Sequence, residues 1–126
     1  MELVKPGENV KAIKIIDATG LIISPGFLDI HNHSDRSITD SVNRLNENYI
    51  KQGVTTIVGG PDGYYSPSSI LKLINAYKKN GTGTNVAFYV GHNGIRQEVM
   101  KNDQKRPPSV EELKAMKALV REGMEM

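Results

Sequence analysis

Strand-like runs alternate with helix-like runs along most of this chain, and that alternation constrains its fold more than any other feature. Phe27, Leu28 and Ile30 lie in a continuous apolar run of the kind that suits a strand buried on both faces. Ile38, Val42, Leu45 and Tyr49 then fall at helical spacing, with Gly53 as the stop. The run VTTIV, Val54 to Val58, is β-branched throughout and predicts a second buried strand leading into the loop GGPDG. Ser66 and Pro67 read as an N-cap and first helical residue ahead of the stripe Ile70, Leu73, Ile74 and Tyr77, which Gly81 closes. The third strand, NVAFYV from Asn85 to Val90, leads into the loop GHNGIR. Ser109 and Glu112 then form a capping box before Leu113, Met116, Leu119 and Val120, with Gly123 as a stop.

Strands alternating with helices predict an α/β fold with a parallel sheet and right-handed crossovers. Upstream, KAIKIIDATG reads as a further apolar strand with a turn at Ala18 to Gly20, and LIISPGFLDI as a second apolar stretch interrupted by Pro25 and Gly26.

In parallel sheets of this kind the chemistry sits beyond the C-terminal ends of the strands. The stretch FLDIHNHSD places two of the chain's three histidines there, one residue apart. Strand side chains alternate, so His31 and His33 project together and Asn32 turns the other way. That is ligand geometry for a divalent ion, though a pair of partly exposed polar residues at a strand end has the same spacing. Asp62 follows the second strand and His92 the third, so every candidate metal or acid/base group lies on one rim. The convergence favours the metal reading.

With 16 Lys and Arg against 14 Asp and Glu, the net charge of +2 gives no electrostatic case for nucleic acid or an anionic membrane. Cysteine is absent, which excludes disulfides, thiolate ligands and a cysteine nucleophile, so a metal site must use nitrogen and oxygen. No signal peptide and no apolar run near the roughly 20 residues of a membrane span is present, and a cytoplasmic location is the expectation.

These segments together resemble a known family. IDATGLIISPGFLDIHNH is similar to the entry of the amidohydrolase superfamily, where a strand leads through a Pro-Gly turn to a His-x-His metal motif. GVTTIVGGPDG, NVAFYVGHNGIR and ELKAMKALVREGME resemble successive segments of its N-acyl-D-amino-acid deacylase (D-aminoacylase) branch, and the likeness covers nearly everything after Val10. The resemblance implies a metal-dependent (β/α)₈ barrel with a small β-sandwich, and hydrolysis of N-acylated D-amino acids with one or two divalent ions, usually zinc. It makes His31 and His33 metal ligands.

Asp62 stands where this branch commonly has a cysteine ligand. As a ligand it would bind or bridge zinc and make manganese or iron(II) more competitive; the other reading is an aspartate chosen for a Pro-Asp-Gly turn. His92 matches a loop near the substrate, where it would act as general acid/base or polarise a carbonyl; otherwise it is a structural hydrogen-bonding group. Arg96 would meet a substrate carboxylate, or is an ordinary surface arginine. Asp29 would orient a ligand by accepting a histidine N–H.

A barrel of this type takes about 250 residues, so the 126 residues here are expected to be a fragment. Residues 1–24 would be a remnant of the sandwich segment and 25–126 the first three βα units, about three-eighths of a TIM-type barrel. The later ligands and catalytic aspartate would lie elsewhere, leaving the fragment inactive alone. Its open barrel edge predicts a homodimer or swapped oligomer. The expected activity of the parent is metal-dependent hydrolysis of a linear amide in a small-molecule N-acyl amino acid. The rivals are a cyclic-amide hydrolase of the dihydroorotase or hydantoinase type and a non-catalytic truncated assembly module.

Overall fold

Three parallel strands lie side by side in chain order: β1 (Phe27–Asn32), β2 (Val54–Gly59) and β3 (Asn85–Phe88). They belong to a computed structural model that describes residues 7, 8 and 11–126. Four helices accompany them: α1 (Glu47–Ile50), α2 (Pro67–Asn80), α3 (His92–Met100) and α4 (Val110–Glu125). The α/β class and parallel sheet are as the alternation predicted.

Ile57, in the central strand, is fully buried and packs with Ile38 and Tyr77, flanked by Val54, Leu73, Val86 and Phe88. The Tyr77 and Phe88 rings stack with centroids 6.1 Å apart. A second cluster, Ile95, Met100 and Met116, joins α3 to α4. Burying such side chains stabilises a fold by roughly 1.5–3 kcal/mol each, so the first cluster holds α2 on the sheet and the second holds α3 to α4.

Several expectations are corrected. β1 is not buried on both faces: Phe27, Leu28 and Ile30 are each about 60% exposed, because β1 is an edge strand with a neighbour on one side only. The helix expected from Ile38 to Tyr49 is reduced to a 3₁₀ turn, Ser37–Thr39, and the four-residue α1. Asn46 interrupts it at φ 50, a left-handed conformation that Asn tolerates better than most residues. Its buried amide donates to Ser34 Oγ and Thr84 Oγ1, both at 3.3 Å, which ties the break to two distant segments.

No strand forms over Lys11–Gly20, and residues 11–26 carry neither strand nor helix; none of the described residues offers them a ladder partner. The turn is present, with Leu21 N–H donating to the Ala18 carbonyl at 2.9 Å. The expected sandwich remnant falls partly on residues 1–6, 9 and 10, which lie outside the described residues. β3 stops at Phe88 instead of Val90, and GHNGIR is the first turn of α3 rather than a loop. Gly91 and Gly94 look like helix breakers but serve close approach: a Cβ on Gly91 would stand 2.3 Å from the Gly63 carbonyl oxygen. α4 carries the predicted capping box and runs through Gly123 to Glu125.

Candidate metal centre

The rim at the C-terminal ends of β1 and β2 brings three ligand-type side chains together. His31 is in β1, His33 follows it by one residue past the strand end, and Asp62 sits in the loop after β2. One donor atom from each lies within 4.8 Å of the other two. His33 Nε2 is 3.8 Å from Asp62 Oδ2, and the two imidazoles meet edge to face with centroids 5.3 Å apart. All three side chains are exposed. Zinc held at about 2.1 Å by tetrahedral ligands sets neighbouring donors about 3.4 Å apart, so the group needs only a modest tightening. Two imidazole nitrogens and one carboxylate oxygen suit zinc, manganese or iron(II). The donor set fits a divalent ion.

The residue between the histidines orders this rim. Asn32 is 1% exposed, donates to Asp29 Oδ2 at 2.7 Å and accepts the Ser34 N–H at 2.9 Å. Asp29 also accepts the His31 backbone N–H at 3.1 Å. The Asn32 amide and then the His31 N–H hold the Asp29 carboxyl below the usual carboxylate range. Asp29 therefore steadies the strand backbone at His31, and it does so without the imidazole N–H bond that was expected.

His92 and Arg96 do not join the group. His92, at the start of α3, lines a separate cleft with Val90, Ile95, Met116 and Val120. Arg96 donates from its guanidinium to the Gln104 and Arg106 carbonyls, the latter at 2.9 Å, and so fastens the loop between α3 and α4.

Three residues that the sequence reading missed stand beside the centre. Asp35, buried at the rim, accepts the Gly60 N–H on Oδ2 at 2.9 Å and the Arg36 N–H on Oδ1 at 2.8 Å. Arg36 Nε donates to Tyr65 Oη at 2.9 Å. A cleft of about 450 Å³ runs between His33, Asp35, Arg36, Asp62 and Tyr65. The signal in the sequence was the pair Asp35-Arg36 directly after the histidine motif, but their partners lie 25 and 29 residues away.

Known proteins resemble the chain over most of its length. It is 30% identical over 131 residues to D-aminoacylase of Alcaligenes xylosoxydans xylosoxydans, a match covering 86% of this chain and 26% of that enzyme. N-acyl-D-glutamate deacylase of the same organism is 28% identical over 149 residues, which is 94% of the chain and 30% of the relative. A shorter stretch of 56 residues, 44% of the chain and 9% of the relative, is 38% identical to adenine deaminase 2 of Rhizobium etli. The chain thus spans between a quarter and a third of the two deacylases. No family model and no solved structure matches it.

Proposed function

This chain belongs to the amidohydrolase superfamily beside its N-acyl-D-amino-acid deacylases, and from that premise we propose that it carries part of the metal centre of a hydrolase acting on the linear amide of N-acyl-D-amino acids. The observation that carries the reading is the meeting of His31, His33 and Asp62 on one rim. The relatives that match 86–94% of the chain are deacylases of D-amino acids, whereas the adenine deaminases match 44–52% of it, which favours the linear amide over a ring substrate.

His31, His33 and Asp62 would hold the ion. When bound, a divalent ion supplies Lewis acidity towards the scissile carbonyl and lowers the pKa of a coordinated water to about 7. The imidazoles would bind through one ring nitrogen each, and the Asp62 carboxylate would offset part of the positive charge. Zinc is the first expectation among the ions, with manganese and iron(II) made more competitive by the hard oxygen of Asp62.

The test is metal content. The chain dialysed against zinc and then against buffer should retain about one ion by elemental analysis, and His31→Ala and His33→Ala should each lose most of it. Retention equal to wild type in both variants would remove the assignment. In a protein carrying this segment at the relatives' length, release of free amine from N-acetyl-D-amino acids, with none of the ammonia from adenine that a deaminase gives, is the expected activity.

A further inference from the structure

The cleft beside the metal centre is walled by a cation held ready for a ligand. Arg36 lines it together with His33 and Asp62. Its Nε donates to Tyr65 Oη at 2.9 Å, and its guanidinium carbon stands 5.5 Å from the centre of the Tyr65 ring. Tyr65 is itself only 8% exposed, so the platform beneath the arginine is fixed. A long side chain held at two places has lost most of its rotamer freedom before any ligand arrives.

The guanidinium also makes no direct ion pair with a protein anion among the described residues, although the neighbouring Asp35 carboxylate attracts it. Asp35 adjoins Arg36 in sequence, yet its carboxylate oxygens take the backbone N–H groups of Gly60 and Arg36. Among the described residues, no carboxylate forms an ion pair with Arg36 and no acceptor takes a hydrogen bond from its Nη atoms. With Nε engaged by Tyr65, the two Nη groups form an end-on fork, the geometry that meets a carboxylate with two parallel hydrogen bonds.

We infer that Arg36 is the carboxylate-recognising residue of this site, which selects ligands carrying a free carboxylate close to the amide presented to His31, His33 and Asp62. The inference rests on the amide-hydrolase reading above and names the feature of the substrate that the cleft reads. It transfers to Arg36 the role that sequence reasoning offered to Arg96, whose guanidinium is occupied by the Gln104 and Arg106 carbonyls. A neutral ligand such as adenine or an amino-acid amide leaves the fork unpaired.

The experiment is an NMR titration of the chain, with and without zinc, using N-acetyl-D-leucine and its carboxamide. The wild type should prefer the carboxylate by roughly tenfold, the size of one charge-assisted contact. Arg36→Met should bring both ligands to the affinity of the carboxamide while zinc uptake stays unchanged. Arg36→Lys, which keeps the charge and most of the packing, should lower the preference several-fold because it lacks the fork, and it carries the test if the methionine variant does not fold. Equal binding of both ligands by the wild type, or an undiminished preference in either variant, overturns the inference. Absence of zinc uptake by the wild type overturns the metal reading instead, and the zinc-free titration still reports on Arg36.

Discussion

Asp35 Oδ2 accepts the backbone N–H of Gly60 at 2.9 Å, and through this bond the loop that carries His33 is tied to the loop that carries Asp62. The carboxylate is 5% exposed, and Gly60 holds the left-handed φ of 71 at the turn. Asp35→Ala strands a buried N–H, a change that destabilises by about 1–3 kcal/mol. Urea unfolding should show that loss, and zinc affinity should fall with it because the two loops are no longer registered. Asp35→Asn keeps an acceptor and should recover part of both. A fully stable alanine variant with unchanged zinc affinity would show that the tie is dispensable.

Asp62→Asn separates two roles. Asparagine suits the same turn conformations as aspartate, so thermal stability should be unchanged. Loss of a ligand carboxylate should lower zinc affinity by at least roughly tenfold, since even changes behind the ligands have effects of 10–100-fold. Competition with a chromophoric chelator gives the number, and wild-type affinity would leave Asp62 as a turn residue.

Gly91→Ala tests the close approach of the two rim loops. The added Cβ would meet the Gly63 carbonyl oxygen at 2.3 Å and the Tyr65 amide nitrogen at 2.7 Å, contacts with backbone that no rotamer relieves. Overpacking of this kind destabilises by typically 1–3 kcal/mol. Because Gly63 follows Asp62, weaker zinc binding should accompany the lower unfolding midpoint.

The cap of α4 predicts an acid transition. Glu112 takes the Arg106 guanidinium at 2.6 and 2.7 Å and the Ser109 N–H at 2.7 Å. The Arg106 bonds first, then the Ser109 bond, push its carboxyl down from the ordinary 4.5 to about 2. A folded-state pKa below the unfolded one means that the contribution is complete above pH 4.5 and disappears as pH falls through about 2. Melting curves of wild type and Glu112→Gln should differ near neutrality and converge between those two pH values. A difference independent of pH would assign the cap to shape rather than charge.

Local patterns in the chain made the sheet and two of the helices legible. Val54–Val58 is β-branched, Ser66 and Gly81 bracket the stripe of α2, and Ser109 with Glu112 announces α4. The period of two in FLDIHNH likewise located His31 and His33. What was illegible depends on distant partners. Asn46 breaks an otherwise regular helical spacing because its amide reaches Thr84, 38 residues on. Gly91 and Gly94 read as loop residues because nothing local reveals the backbone they pack against. Arg36 and Arg96 look alike in sequence, and only the phenol on one and the carbonyls on the other distinguish them.

Strand order in the sheet repeats chain order, β1 to β2 to β3, with every pairing parallel and between successive strands. During synthesis, the helix and strand of each new unit can therefore dock against a neighbour that has already left the ribosome, with no threading past later segments. This order permits the sheet to grow vectorially, each strand docking on the one made before it.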